Sequence, residues 1–97
     1  KNNVDAAKVR EALMGGFAGS KIMEVHGKRM LDNDFKPGFK VKLHQKDMNI
    51  VMQAANQLGL ALPAASLVSQ HLNALMGSGD AELDSSAIVK VIEKMNR

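Results

Sequence analysis

KVKLHQKDMNIVMQAANQLG, residues 40–59, is the stretch on which the fold class turns. His44, Met48, Val51, Ala55 and Leu58 recur at the interval of one face of a helix, which predicts a buried apolar stripe. Lys42, Lys46, Asn49 and Gln53 form a polar stripe at the same interval. Asp47 belongs to neither; it falls with Leu43, Ile50 and Ala54 on the shoulder of the apolar face. The helix is expected to begin near Phe39 or Lys40 and to stop at Gly59.

Punctuation on either side supports the same class. Upstream, Asp5 is a good N-cap for a helix running to Met14, which ends at Gly15-Gly16. A second helix is expected from Ser20 towards Leu31, with Ile22, Met23, Val25, His26 and Met30 on its apolar side and Gly27 as a weak point. DNDFKPG, residues 32–38, is turn chemistry. Downstream, Pro63 suits the first turn of a fourth helix carrying Leu67, Val68, His71, Leu72, Leu75 and Met76, which ends at GSGD. Asp84 or Ser85 is expected to cap a fifth, with Ile88, Val91, Ile92 and Met95 facing inwards. Five helices and no convincing strand predict one all-α domain over residues 1–97.

Composition bounds the function. Seven Met and three Phe, with no Tyr or Trp, suit a core of packed helices. The absence of Cys removes disulfide and thiolate chemistry and is compatible with a reducing cytoplasm. No apolar run approaches membrane-spanning length. The net charge of +3 is mild, and acidic residues are interspersed with the basic ones, so nucleic acid is not the expected partner. The opening KNNVDAAK carries Asn2-Asn3, a pair suited to the end of a preceding helix, so the chain is expected to be a piece of a longer protein.

Little catalytic chemistry can be assembled from these residues. His26, His44 and His71 lack metal-ligand spacing, and His26 and His71 are expected to be packed and hydrogen-bonded. GGFAGS, residues 15–20, lacks the glycine spacing of a dinucleotide fingerprint; it is either a tight turn capped by Ser20 or an anion site at a helix start. Lys46-Asp47 also leaves two readings open. The lysine gains nothing from a helix N-terminus unless an anion faces it, and the aspartate on an apolar shoulder implies a partly buried carboxylate with its own hydrogen-bond partner. The alternative is a solvated polar face with a structural Asp. No nucleophile–base pair is present, so no catalytic residue is assigned.

GGFAGS, DNDFKPGF, KLHQKD and GSGDAELDSSA, in this order, resemble the C-terminal helical domain of the β-hydroxyacid dehydrogenases, the 3-hydroxyisobutyrate dehydrogenase family. The likeness covers essentially the whole chain, and the Lys-Asp segment behind FKPGF is its most specific part. It implies a 6-phosphogluconate dehydrogenase C-terminal-domain-like fold, NAD or NADP as cofactor, and an N-terminal Rossmann domain carrying the nucleotide fingerprint and the catalytic lysine. It implies further that Lys46 and Asp47 lie at the cofactor, and that Phe39, Ser20 and Gly19 border the substrate cleft. The implied substrate is a small 3-hydroxy acid or semialdehyde, with tartronate semialdehyde suggested first, and the implied assembly is a homo-oligomer. By itself this piece is expected to be inactive. Met48, Asn49 and Gln53 depart from the Leu, Gly and Asp common in the family. The rival expectation, independent of the resemblance, is a stand-alone helical interaction module using Lys36 to Lys46 as a basic anion-binding surface.

Overall fold

A computed structural model describes residues 3–97 as five helices: α1 (Ala6–Met14), α2 (Lys21–Asp32), α3 (Val41–Leu58), α4 (Pro63–Gly77) and α5 (Val89–Met95). A 3-10 turn, Ser85–Ile88, leads into α5. The described residues form no strand, only an isolated antiparallel bridge between Lys40 and Asp84.

Local chemistry sets most helix ends. The Asp5 carboxylate accepts from the N–H groups of Ala7 and Lys8, and the Ser20 hydroxyl accepts from the Met23 N–H at 3.0 Å. Pro63 occupies the first turn of α4, where its missing N–H costs nothing. Gly59 closes α3 with φ of 67°. Asn3 has φ of 56°, the left-handed conformation expected of a cap; Asn2 lies outside the described residues.

Packing divides the chain into two parts. Val41, Leu72, Leu75 and Ala87 form the buried core, with Phe35, Met48, Leu83, Ile88 and Val91 packed against it. Helices α3 and α4 supply most of it, and the 3-10 turn with α5 closes one end. Helices α1 and α2 form a hairpin with no buried residue, resting on the core where α2 meets the 3-10 turn. Gly27 is less a weak point than a crossing point. A Cβ there would come within 3.3 Å of Arg10 Nε, and Arg10 Nη2 donates to the Glu24 carbonyl at 2.7 Å, tying α1 to α2.

The helical period was readable, but its phase was not always so. The face of α3 that turns inwards carries Val41, His44, Gln45, Met48, Met52 and Ala55, whereas Val51 is 42% and Leu58 72% exposed. Apolar residues cover more than half of the circumference of this helix, so composition fits more than one stripe. The direction from which α4 and the 81–88 segment approach selects among them. Gln45 is buried as a result; its amide donates to Asn73 and Asn49, while its Oε1 is left without a partner. Similar corrections apply elsewhere. Leu67, Val68 and Met76 of α4 are exposed, while Ser69, Leu72 and Leu75 are buried. Ile22 and Val25 of α2 face outwards, as do Ile92 and Met95 of α5. Asp84 caps the 3-10 turn rather than α5, and the tighter winding of that turn resets the phase of the residues that follow.

Candidate functional site

The start of α3 is built from two distant segments. Lys40, its N-cap, offers no side-chain acceptor. Backbone carbonyls substitute: Leu83 accepts from the Val41 N–H at 2.8 Å and Ala81 from the Lys42 N–H at 3.0 Å. The donors of this helix start are therefore committed within the chain, and anion binding there is not supported.

The basic stretch is also partly neutralised. Glu82 lies 2.7 Å from Lys40 and 2.6 Å from Lys42. Hydrogen bonds from Lys40, then from Lys42, bring the Glu82 carboxyl down to about 2. Glu82 thus interrupts the cationic stretch from Lys36 to Lys46 at its centre. Lys46 is exposed and, like the Lys36 side chain, has no hydrogen bond or ion pair among the described residues. Leu43 and Ile50, on the same side of α3, are exposed with it.

Asp47 is exposed too, without a bonded partner among the described residues, which corrects the expectation of a partly buried carboxylate. It does share a face with Leu43, Ile50 and Ala54, but that face points away from the core.

Phe39 is held by its backbone and free at its ring. Its N–H donates to Asp84 Oδ1 at 3.0 Å, and its carbonyl accepts from the Ser85 N–H and O–H, both at 2.9 Å. The ring is exposed and lies with its centroid 4.5 Å from the His44 imidazole, whose Nδ1 hydrogen-bonds to Ser85 Oγ. Asp84 itself is 2% exposed. Burial pushes its carboxyl up, but hydrogen bonds from the Ser86 side chain and from the backbones of Phe39, Ser86 and Gly38 prevail and hold it well below the usual carboxylate range.

Gly19 and Ser20 sit elsewhere, in the turn between α1 and α2. A Cβ at Gly19 would lie 2.8 Å from the Met14 carbonyl oxygen, so this close approach requires glycine. The Ser20 hydroxyl is engaged as the α2 cap. No hydrogen bond or ion pair among the described residues joins either to Phe39, Lys46 or Asp47.

Sequence reading missed the reach of Asp84 and Ser85, seen there only as caps for the last helix. Local spacing carries no signal for their contacts with residues 35–44. His26 is half-buried, but its Nδ1 is buried without a hydrogen-bond partner, so it is packed rather than satisfied. No cluster of three or more His, Cys, Asp or Glu suited to a metal occurs among the described residues. A groove of about 620 Å³ between α4 and α5, lined by His71, Leu75, Lys90 and Met95 among others, contains none of the expected site residues.

The family model described as the NAD-binding domain of NADP-dependent 3-hydroxyisobutyrate dehydrogenase matches residues 1–92. The 2-hydroxy-3-oxopropionate reductase of Escherichia coli is 47% identical over 95 residues, which cover 98% of this chain and 32% of that protein. A probable 3-hydroxyisobutyrate dehydrogenase-like protein of Arabidopsis thaliana is 36% identical over 99% of this chain and 29% of its own length. The crystal structure of a 3-hydroxyisobutyrate dehydrogenase from Salmonella typhimurium, 22% identical, superposes with a TM-score of 0.86 over 92% of this chain and 31% of its own, which establishes the fold. The chain spans about a third of the length of these relatives. With a family match across almost all its residues and a helical fold to agree with it, the chain belongs to the 3-hydroxyisobutyrate dehydrogenase family, as a match to its NAD-binding domain.

Proposed function

We propose that this chain is the C-terminal cleft and oligomerisation domain of an NAD(P)-dependent 3-hydroxyacid dehydrogenase that reduces 2-hydroxy-3-oxopropionate (tartronate semialdehyde). The observation that carries this reading is the isolation of Lys46. Its neighbours Lys40 and Lys42 share the Glu82 carboxylate, while Lys46 stands unpaired on an open face beside Leu43 and Ile50. An unpaired cation flanked by exposed apolar side chains on one side suits an anionic ligand brought by a covering domain. The resemblance to 2-hydroxy-3-oxopropionate reductase supports the choice of substrate.

In this reading Lys46 and Asp47 face the cofactor, and Phe39, Ser20 and Gly19 border the substrate cleft. The dinucleotide, when bound, supplies the hydride. Lys46 draws in the acid substrate and stabilises negative charge developing on its carbonyl oxygen. No group in this chain is placed as a general acid, so that role falls to the domain that precedes it. The partners are that Rossmann domain and further copies of the same protein. The exposed Val9, Leu13, Phe17 and Ile22 of the hairpin region provide apolar area for such contacts. The cysteine-free sequence fits a reducing compartment, the cytoplasm in this reading. No described helix is long and apolar enough to cross a membrane.

The test is Lys46→Ala in the full-length protein, assayed with tartronate semialdehyde and with 3-hydroxyisobutyrate. Catalytic efficiency is expected to fall at least about tenfold, some 1.4 kcal/mol of transition-state stabilisation. Wild-type kinetics would remove Lys46 from the site.

A further inference from the structure

Asp84 spends its whole carboxylate on this chain. Oδ1 accepts from the N–H groups of Gly38 at 2.9 Å and Phe39 at 3.0 Å, and lies 3.1 Å from the Arg29 guanidinium. Oδ2 accepts from the Ser86 N–H at 3.0 Å and the Ser86 hydroxyl at 2.6 Å. A carboxylate so occupied has no lone pair left for a ligand and no proton to exchange. What it can do is hold things in place.

The held loop is not core. Pro37, Gly38 and Phe39 are all exposed, and the grip closes on the backbone of Phe39, whose ring projects outwards against His44. Ser85, the next residue after Asp84, takes the Phe39 carbonyl from the other side. Two residues after Phe39, α3 begins, with Lys46 in its second turn. The same segment therefore fixes an aromatic at the mouth of α3 and the position of the helix that carries the unpaired lysine.

We propose that Asp84 is a positioning residue of the cleft, setting the Phe39 loop and the start of α3 so that Phe39 and Lys46 each take a fixed place towards the cofactor and substrate. This rests on the reading of Lys46 given above. The carboxylate acts through the geometry of the loop, and removing it leaves Lys46 and Phe39 present but misplaced.

A double-mutant cycle on the full-length protein tests this, with Asp84→Asn and Lys46→Ala, singly and together. The readouts are dinucleotide affinity, by fluorescence titration with NADH and NADPH, and kcat and KM for the reduction. Asp84→Asn alone is expected to weaken dinucleotide affinity or kcat/KM about tenfold, and by less than about twofold once Lys46 is already alanine. Equal losses in both backgrounds, or no loss at all, overturn the positioning role. If Lys46→Ala alone changes neither readout, the reading of Lys46 fails first, and the inference falls with it. Gly38→Ala is the milder second variant, since its Cβ would press within 3.3 Å of Asp84 Oδ1 while leaving the carboxylate intact. It answers the same question should Asp84→Asn fail to fold, because the same non-additivity with Lys46→Ala is required of it.

Discussion

The guanidinium of Arg29 on α2 lies 3.1 Å from the carboxylate of Asp84, the ion pair that joins the α1–α2 hairpin to the core among the described residues. The same guanidinium donates to the Lys36 carbonyl at 2.6 Å, so one side chain fastens α2 both to the 3-10 turn and to the loop entering α3. The hairpin itself has no buried residue. Its attachment therefore depends on a few polar contacts more than on apolar area.

Arg29→Ala should loosen the hairpin and spare the core. Amide hydrogen exchange is expected to quicken through Lys21–Asp32 while Leu72 and Leu75 keep their protection. Uniform loss of protection along the chain would show that the two parts unfold together.

Leu75 is among the most deeply buried side chains, at the centre of the contact between α4 and the rest of the core. Leu75→Ala should cost about 3 kcal/mol in chemical denaturation, from lost transfer energy and the cavity left behind. A change below about 1 kcal/mol would mean that the core relaxes around the gap.

Ser20→Ala removes the side-chain N-cap of α2 and should cost about 1 kcal/mol, concentrated in the first turn of that helix. The check is a denaturation curve together with exchange at Met23, whose N–H the hydroxyl now accepts. Unchanged exchange at Met23 would mean that the cap contributes nothing there.

Acid should destabilise the domain through Asp84. Its carboxyl titrates below the ordinary range in the folded chain, so below about pH 4 the unfolded state binds the extra proton and folding stability falls with pH. Asp84→Asn should lower stability at neutral pH and flatten this acid limb. Glu82, drawn down to about 2 from 4.5, acts in the same direction between those values, but it is solvent-exposed and screened, so Glu82→Gln should flatten the limb much less. An acid limb untouched by Asp84→Asn would assign it to other carboxylates.

Much of this molecule could be read locally. The helix ends at Asp5, Ser20, Gly59 and Pro63 were legible because a cap or a breaker acts on its own neighbours. So was the sharing of one α3 face by Asp47, Leu43 and Ile50, since a helix fixes relative directions wherever it packs. Whether that face pointed inwards or outwards was not legible.

The sequence alone determined an all-α chain and the approximate limits of its helices, because those depend on backbone contacts a few residues apart. The tertiary structure alone decided which stripe of α3 is buried, that Glu82 pairs with Lys40 and Lys42 but not with Lys46, and that Asp84 grips Phe39. Each depends on residues 81–86 meeting residues 35–44, and a contact between segments so far apart leaves no periodic trace in either one.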